Sequence, residues 1–202
     1  MRQYKSIELI CGCDEAGRGA LAGPVVASAV ILPKKFPFDK INDSKKLSPK
    51  IREELSSIIK ENSLYWSVGI VNSNEIDKMN ILNASIKAMH LAIDQISKKM
   101  DTRTIGLLLI DGNKFKQYRN IKHKCVIKGD AKYMSIAAAS ILAKTHRDTI
   151  MRKLGLINSQ YKWNHNKGYP TKEHRISIAR FGITKYHRKT FKLLDSQYSL
   201  NF

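Results

Sequence analysis

Two apolar stretches of this chain end on carboxylates. Residues 7–13 (IELICGC) run directly into Asp14-Glu15, and residues 104–110 (TIGLLLI) run into Asp111, which Gly112 follows. Both are far shorter than the roughly 18 apolar residues of a membrane span, and they suit strands. The second is apolar at nearly every position, as in a strand covered by helices on both faces. In open α/β sheets, ligand sites collect at strand ends. If these two strands are neighbours, their acids converge.

The rest of the pattern points to an α/β fold. Residues 25–32 (VVASAVIL) and 64–71 (LYWSVGIV) predict two more strands, and residues 124–127 (KCVI) predict a short one. Their β-branched and aromatic content fits a pleated, buried surface. A helix is predicted from Ser48-Pro49 to about Glu61, with Ser as cap and Pro at the first position. Leu82, Ile86, Met89, Ile93, Ile96 and Met100 step by four and three, the stripe of a helix packed on a sheet. Residues 131–152 predict a helix whose Ala137-Ala138-Ala139 face suits close packing, and residues 172–181 predict another, ended by Gly182. Strands first, then alternating elements, indicate one sheet domain over residues 1–202 with a basic, helical portion at about 160–202.

Charge narrows the class of partner. The chain has 202 residues, with 36 Lys+Arg against 17 Asp+Glu and a net charge of +19. Such an excess favours a polyanion, because each cation that meets a phosphate releases a counterion. Of the 36 cations, 26 are Lys, so genome composition is the competing explanation. Cys11, Cys13 and Cys125 form no zinc pattern and read as packed residues of a reduced, cytoplasmic protein. The N-terminus carries no apolar leader, so a protein without membrane association is expected, and nothing demands more than a monomer.

A cluster of carboxylates repels itself unless something positive sits among them. Oxygen donors without thiolates suit Mg²⁺ or Mn²⁺. Two such ions serve phosphodiester cleavage well, one activating water and the other stabilising the leaving oxygen. Taken singly, Asp14 and Asp111 also fit as turn residues, and Asp130 in Lys128-Gly129-Asp130 fits as a helix cap. Neighbours on a strand point to opposite faces, so Asp14 and Glu15 are not a facing glycosidase pair.

Basic and glycine-rich segments surround these acids. Gly17-Arg18-Gly19 allows a close backbone approach and offers a guanidinium to phosphate, although one such motif is a weak signal and no Walker loop is present. Asp43-Ser44-Lys45-Lys46-Leu47 adds two cations ahead of a helix. Residues 161–202 hold nine Lys/Arg against two acids, and within them Tyr169 is either a nucleotide contact or a packing residue.

Read together, these motifs resemble ribonuclease HII, of the type 2 ribonuclease H family. The resemblance runs through Cys13 to Gly19 with Leu21 to Val26, Asp43 to Ser48, Leu109 to Asn113, and Lys128 to Asp130. It continues through Ser135 to Lys144 with Arg147-Asp148, His165 to His174, and His187 to Phe191. It implies a ribonuclease H-like fold, a five-stranded mixed sheet flanked by helices. It further implies that Asp14, Glu15, Asp111 and Asp130 are catalytic acids holding two Mg²⁺ or Mn²⁺ ions. The implied substrates are RNA–DNA hybrids and duplex DNA containing single ribonucleotides, cut to leave 5′-phosphate and 3′-hydroxyl ends. Gly17, Arg18, Gly19 and Tyr169 are then expected to read the 2′-hydroxyl, with Lys45 and Lys46 on the duplex. Arg18 favours this family over ribonuclease HIII, as does the expectation that only 13 residues precede Asp14. Departures are small: Ala20 stands where Pro is common, and Cys11 and Cys13 where small or apolar residues are usual. No sliding-clamp peptide is recognisable after Tyr198, so clamp binding is not expected.

Overall fold

A computed structural model describes residues 9–36, 48–100 and 104–194. Five strands form one mixed sheet in the order β3-β2-β1-β4-β5. They are β1 (Leu9–Ala16), β2 (Val25–Ile31), β3 (Tyr65–Val71), β4 (Ile105–Asp111) and β5 (Lys122–Val126). β1 pairs antiparallel with β2 and parallel with β4; β2 and β3 are antiparallel, β4 and β5 parallel. This is the five-stranded mixed α/β sheet expected from the sequence. The helices are α1 (Pro49–Asn62), α2 (Ser73–Lys99), α3 (Met134–Ile157), the single turn α4 (Trp163–Asn166) and α5 (Lys172–Phe181). None is long and apolar enough to cross a membrane.

The two faces of β1 carry different partners, and the alternation of its residues decides which. Cys11 and Cys13 are fully buried in the core beneath α2, with Ala88, Ala92, Ile93 and Ile96. Gly12 faces the other way, and a Cβ there would lie 2.3 Å from the backbone of Ser135 in α3. That contact explains both the glycine and the small-residue face of α3, where Ala137, Ala138 and Ala139 pack with Val30, Leu55 and Ile59. α1 begins as its sequence dictates: Ser48 Oγ accepts the Ile51 N–H at 3.3 Å, and Pro49 opens the helix.

Several elements differ from the sequence expectation: α3 covers Met134–Ile157 rather than 131–152, and β5 covers Lys122–Val126 rather than 124–127. α2 starts at Ser73 rather than near Leu82, because Asn72 and Glu75 form a reciprocal capping box. Asn80, with φ of 65°, then kinks the helix, and the apolar stripe becomes regular only beyond it. β1 runs on to Ala16, so Asp14 and Glu15 lie inside the strand, paired with Ser28 and Ala27 of β2. Apolar character marks where a strand is buried, but pairing with β2 decides where it ends.

Gly12→Ala is expected to lower folding stability by about 2 kcal/mol through overpacking against α3. Urea denaturation measures this directly.

Candidate active site

The parallel register between β1 and β4 aligns Cys13 with Ile110, so Asp14 and Asp111 follow at neighbouring positions on adjacent strands. Asp111 Oδ1 accepts the Gly129 N–H at 2.7 Å, which ties the turn Gly129–Ala131 to the end of β4. Asp130 thereby sits, buried, in the residue next to that bond. A left-handed Lys128, φ 54°, makes the reversal from β5. Asp14 is also buried; its Oδ1 accepts the Glu15 N–H at 2.7 Å, and it hydrogen-bonds Ser140 of α3. Glu15 points to the opposite face, into a cleft of about 200 Å³ lined by Arg18, Ser85, Ile86, Met89, Asp111 and Asn113, among others.

The acids act on one another electrostatically. Burial pushes the Asp14 carboxyl well above its ordinary range, and the charges of Glu15 and Asp111 push it further. Burial raises Glu15 too, opposed by Arg18, whose Nη1 lies 3.2 Å from Oε1, and reinforced by Asp111. Glu15 Oε2 is buried with no hydrogen-bond partner. Among the described residues, no three His, Cys, Asp or Glu side chains stand close enough to hold an ion as placed. Asp14, Glu15 and Asp111 are instead each turned towards a local donor.

The C-terminal part docks on the loop between β1 and β2. Leu21 and Ala22 donate their N–H groups to the Gly168 carbonyl at 2.7 and 3.3 Å, and Gly23 donates to Tyr186 at 2.8 Å. This brings Tyr169 to the Gly17-Arg18-Gly19 segment, whose Arg18 and Gly19 are exposed. Tyr169 is half-buried, with the guanidinium of Arg147 5.2 Å and the Lys144 ammonium 5.9 Å from its ring centroid. Lys45 and Lys46 lie outside the described residues, as does Tyr198.

Two histidines support this docking in neutral form. His174 Nδ1 faces the Tyr169 carbonyl at 3.0 Å, and its Nε2 accepts from Trp163 Nε1 at 2.9 Å. His187 Nδ1 accepts the Thr184 N–H at 2.9 Å, and its Nε2 lies 3.3 Å from His174 Nε2. Sequence motifs alone assign no individual role to Ser140, Arg147 or Arg188. Arg147 nonetheless falls on the buried stripe Ile136, Ser140, Ala143, Arg147, Met151 of α3, and a cation on such a stripe is a legible signal.

An open mixed sheet with acids on its adjacent parallel central strands is the architecture of a ribonuclease H-like nuclease. The ribonuclease H2 of Pyrococcus horikoshii superposes with a TM-score of 0.75 at 24% identity, covering 96% of this chain and all of that one. Bst-RNase HIII, solved with Mn²⁺, gives a TM-score of 0.79 at 17% identity over 96% of this chain and 69% of its own. The RNase HII of Archaeoglobus fulgidus, solved in complex with PCNA, gives 0.73 at 25% identity over 93% of this chain and 96% of its own.

Residues 11–194 match the ribonuclease HII family. Ribonuclease HII of Bacteroides thetaiotaomicron is 56% identical, with 98% of each chain covered. That of Bacteroides fragilis is 58% identical over 96% of this chain and 94% of the relative. The chain belongs to the ribonuclease HII family, and membership implies endoribonuclease activity on RNA–DNA hybrids.

Burial, aided by the neighbouring His174, pushes the His187 imidazole from its ordinary 6.5 down to about 4, against the Thr184 hydrogen bond. The unfolded chain therefore binds the extra proton first, and stability is lost as pH falls through that window. Urea denaturation between pH 7 and pH 4 is expected to register about 3 kcal/mol from this residue. In His187→Gln that part of the slope disappears.

Proposed function

We propose that Asp14, Glu15, Asp111 and Asp130 hold two divalent cations, Mg²⁺ or Mn²⁺, against the RNA strand of a hybrid. The carrying observation is that Asp14, Glu15 and Asp111 lie at neighbouring positions on two adjacent strands and act on one another electrostatically. Two of them are raised by burial and by mutual charge, and one carries an orphaned, buried oxygen. The donor set fits the ions: all-oxygen carboxylates suit hard cations, and a positive charge among them relieves the repulsion that now raises Asp14 and Glu15. When bound, such ions supply an activated water and stabilise charge on the leaving oxygen.

The other residues orient the substrate. Ser140 and the Glu15 N–H hold the Asp14 carboxylate in place. The Gly129 N–H does the same for Asp111 and carries Asp130 with it. Arg18 and the backbone of Gly17 and Gly19 meet the ribonucleotide, with Tyr169 against its sugar. The 2′-hydroxyl is the group that separates RNA from DNA, so reading it extends the activity to single ribonucleotides in duplex DNA. The products are 5′-phosphate and 3′-hydroxyl ends. Lys45, Lys46 and the basic C-terminal portion grip the duplex, and a monomer suffices.

Asp14→Asn is expected to abolish cleavage in Mg²⁺ or Mn²⁺ while hybrid binding stays measurable by fluorescence anisotropy; unchanged turnover would overturn the assignment. Tyr169→Phe is expected to reduce cutting at a lone ribonucleotide more than within a long hybrid. Product mapping on both substrates tests this, and equal loss argues against a junction role.

A further inference from the structure

Arg147 and Arg188 are among the most completely buried side chains of the molecule, 1% and 0% exposed. Among the described residues neither forms an ion pair; their donors go to backbone carbonyls. Arg188 donates from Nη2 to Gly17 at 2.7 Å, from Nη1 to Arg18 at 2.8 Å, and from Nε and Nη2 to Gly23 at 3.1 and 3.0 Å. Arg147 donates to Pro24 at 2.9 Å, to Ala22 at 3.1 Å and, across to the C-terminal part, to Lys167 at 2.9 Å. Its guanidinium also lies against the Tyr169 ring. A Cβ on Gly17 would fall 2.0 Å from Arg147 Nε, so this glycine is required by the arginine as much as by its own φ of +95°.

Burying a cation without a carboxylate is an expensive way to join two loops. What it adds is direction. In a trans peptide the C=O and N–H point to opposite sides of one plane. Arg188 draws the carbonyls of Gly17 and Arg18 inward, so the N–H groups of Arg18 and Gly19 face the opposite way, at the two exposed positions of the loop. One planar fork spans both carbonyls; an ammonium on a flexible stem does not.

We propose that Arg188 and Arg147 are positioning residues for ribose recognition: Arg188 aims the Arg18 and Gly19 amides, and Arg147 locks Tyr169 to the same rail. This rests on the reading of residues 17–19 and Tyr169 as the elements that meet the 2′-hydroxyl.

The test compares wild type, Arg188→Lys, Arg147→Lys and Tyr169→Phe on two substrates, duplex DNA with one ribonucleotide and a long RNA–DNA hybrid, at one fixed Mn²⁺ concentration. The lysine variants are expected to lose about tenfold to a hundredfold in kcat at the lone ribonucleotide. KM changes less, and the loss on the hybrid is smaller. Equal loss on both substrates, or an unchanged ratio in folded variants, overturns the inference. A ratio lost in Tyr169→Phe but kept in both lysine variants overturns it alone, whereas wild type that ignores the lone ribonucleotide overturns the underlying reading as well. Should the lysine variants not fold, ¹⁵N relaxation on wild type decides. Arg18 and Gly19 amides as ordered as those of β1 support the proposal, and loop-like disorder overturns it.

Discussion

Everything at the candidate site depends on β1 and β4 lying side by side in parallel. That pairing sets Cys13 against Ile110 and brings Asp14 level with the end of β4. A shift of one residue would turn Asp14 away from Ser140 and into the apolar space beneath α2, and would turn Cys11 and Cys13 out of it. The register is held from both faces: Gly12 leaves room only for the backbone of α3, while the cysteines fill the space beneath α2. The charge repulsion among the acids is thus a strain imposed by core packing, and it is the feature that suits the site to cations.

A second constraint joins distant parts of the chain. The loop after β1 has little side-chain substance of its own, and its shape comes from carbonyls gripped by Arg147 and Arg188. The segment Lys167-Gly168-Tyr169 is drawn to the same rail by Gly168, whose carbonyl takes two N–H groups from residues 21 and 22. His174 and His187, held neutral by burial, close the arrangement from behind. The acid-bearing strand and the segment around Tyr169 therefore form one connected structure although they come from opposite ends of the sequence.

The elements legible in the sequence were those whose own burial writes a period into it. Strands β2, β3 and β4, the Ser-Pro start of α1 and the Gly182 end of α5 fall within a residue of their expected places. The first turns of α2 leave no apolar period because they are set by a capping box and a kink at Asn80. The polarity of Asp14 and Glu15 sets them apart from the apolar run of β1, yet backbone pairing with Ser28 and Ala27 keeps them in the strand. Arg147 and Arg188 were visible as residues but not as a pair, since nothing local to either announces which carbonyls it will meet.

By itself, then, the sequence determined an α/β sheet, a basic protein suited to nucleic acid, and acids at two apolar stretches, because burial and charge leave local traces. Only the tertiary structure decided that those stretches are parallel neighbours and that the Asp111–Gly129 hydrogen bond ties the turn carrying Asp130 to the end of β4. It also decided that Tyr169 meets the Gly17-Arg18-Gly19 loop through buried guanidinium groups. These are contacts between residues tens to more than a hundred positions apart, and hydrogen-bond geometry at that separation has no local pattern to betray it.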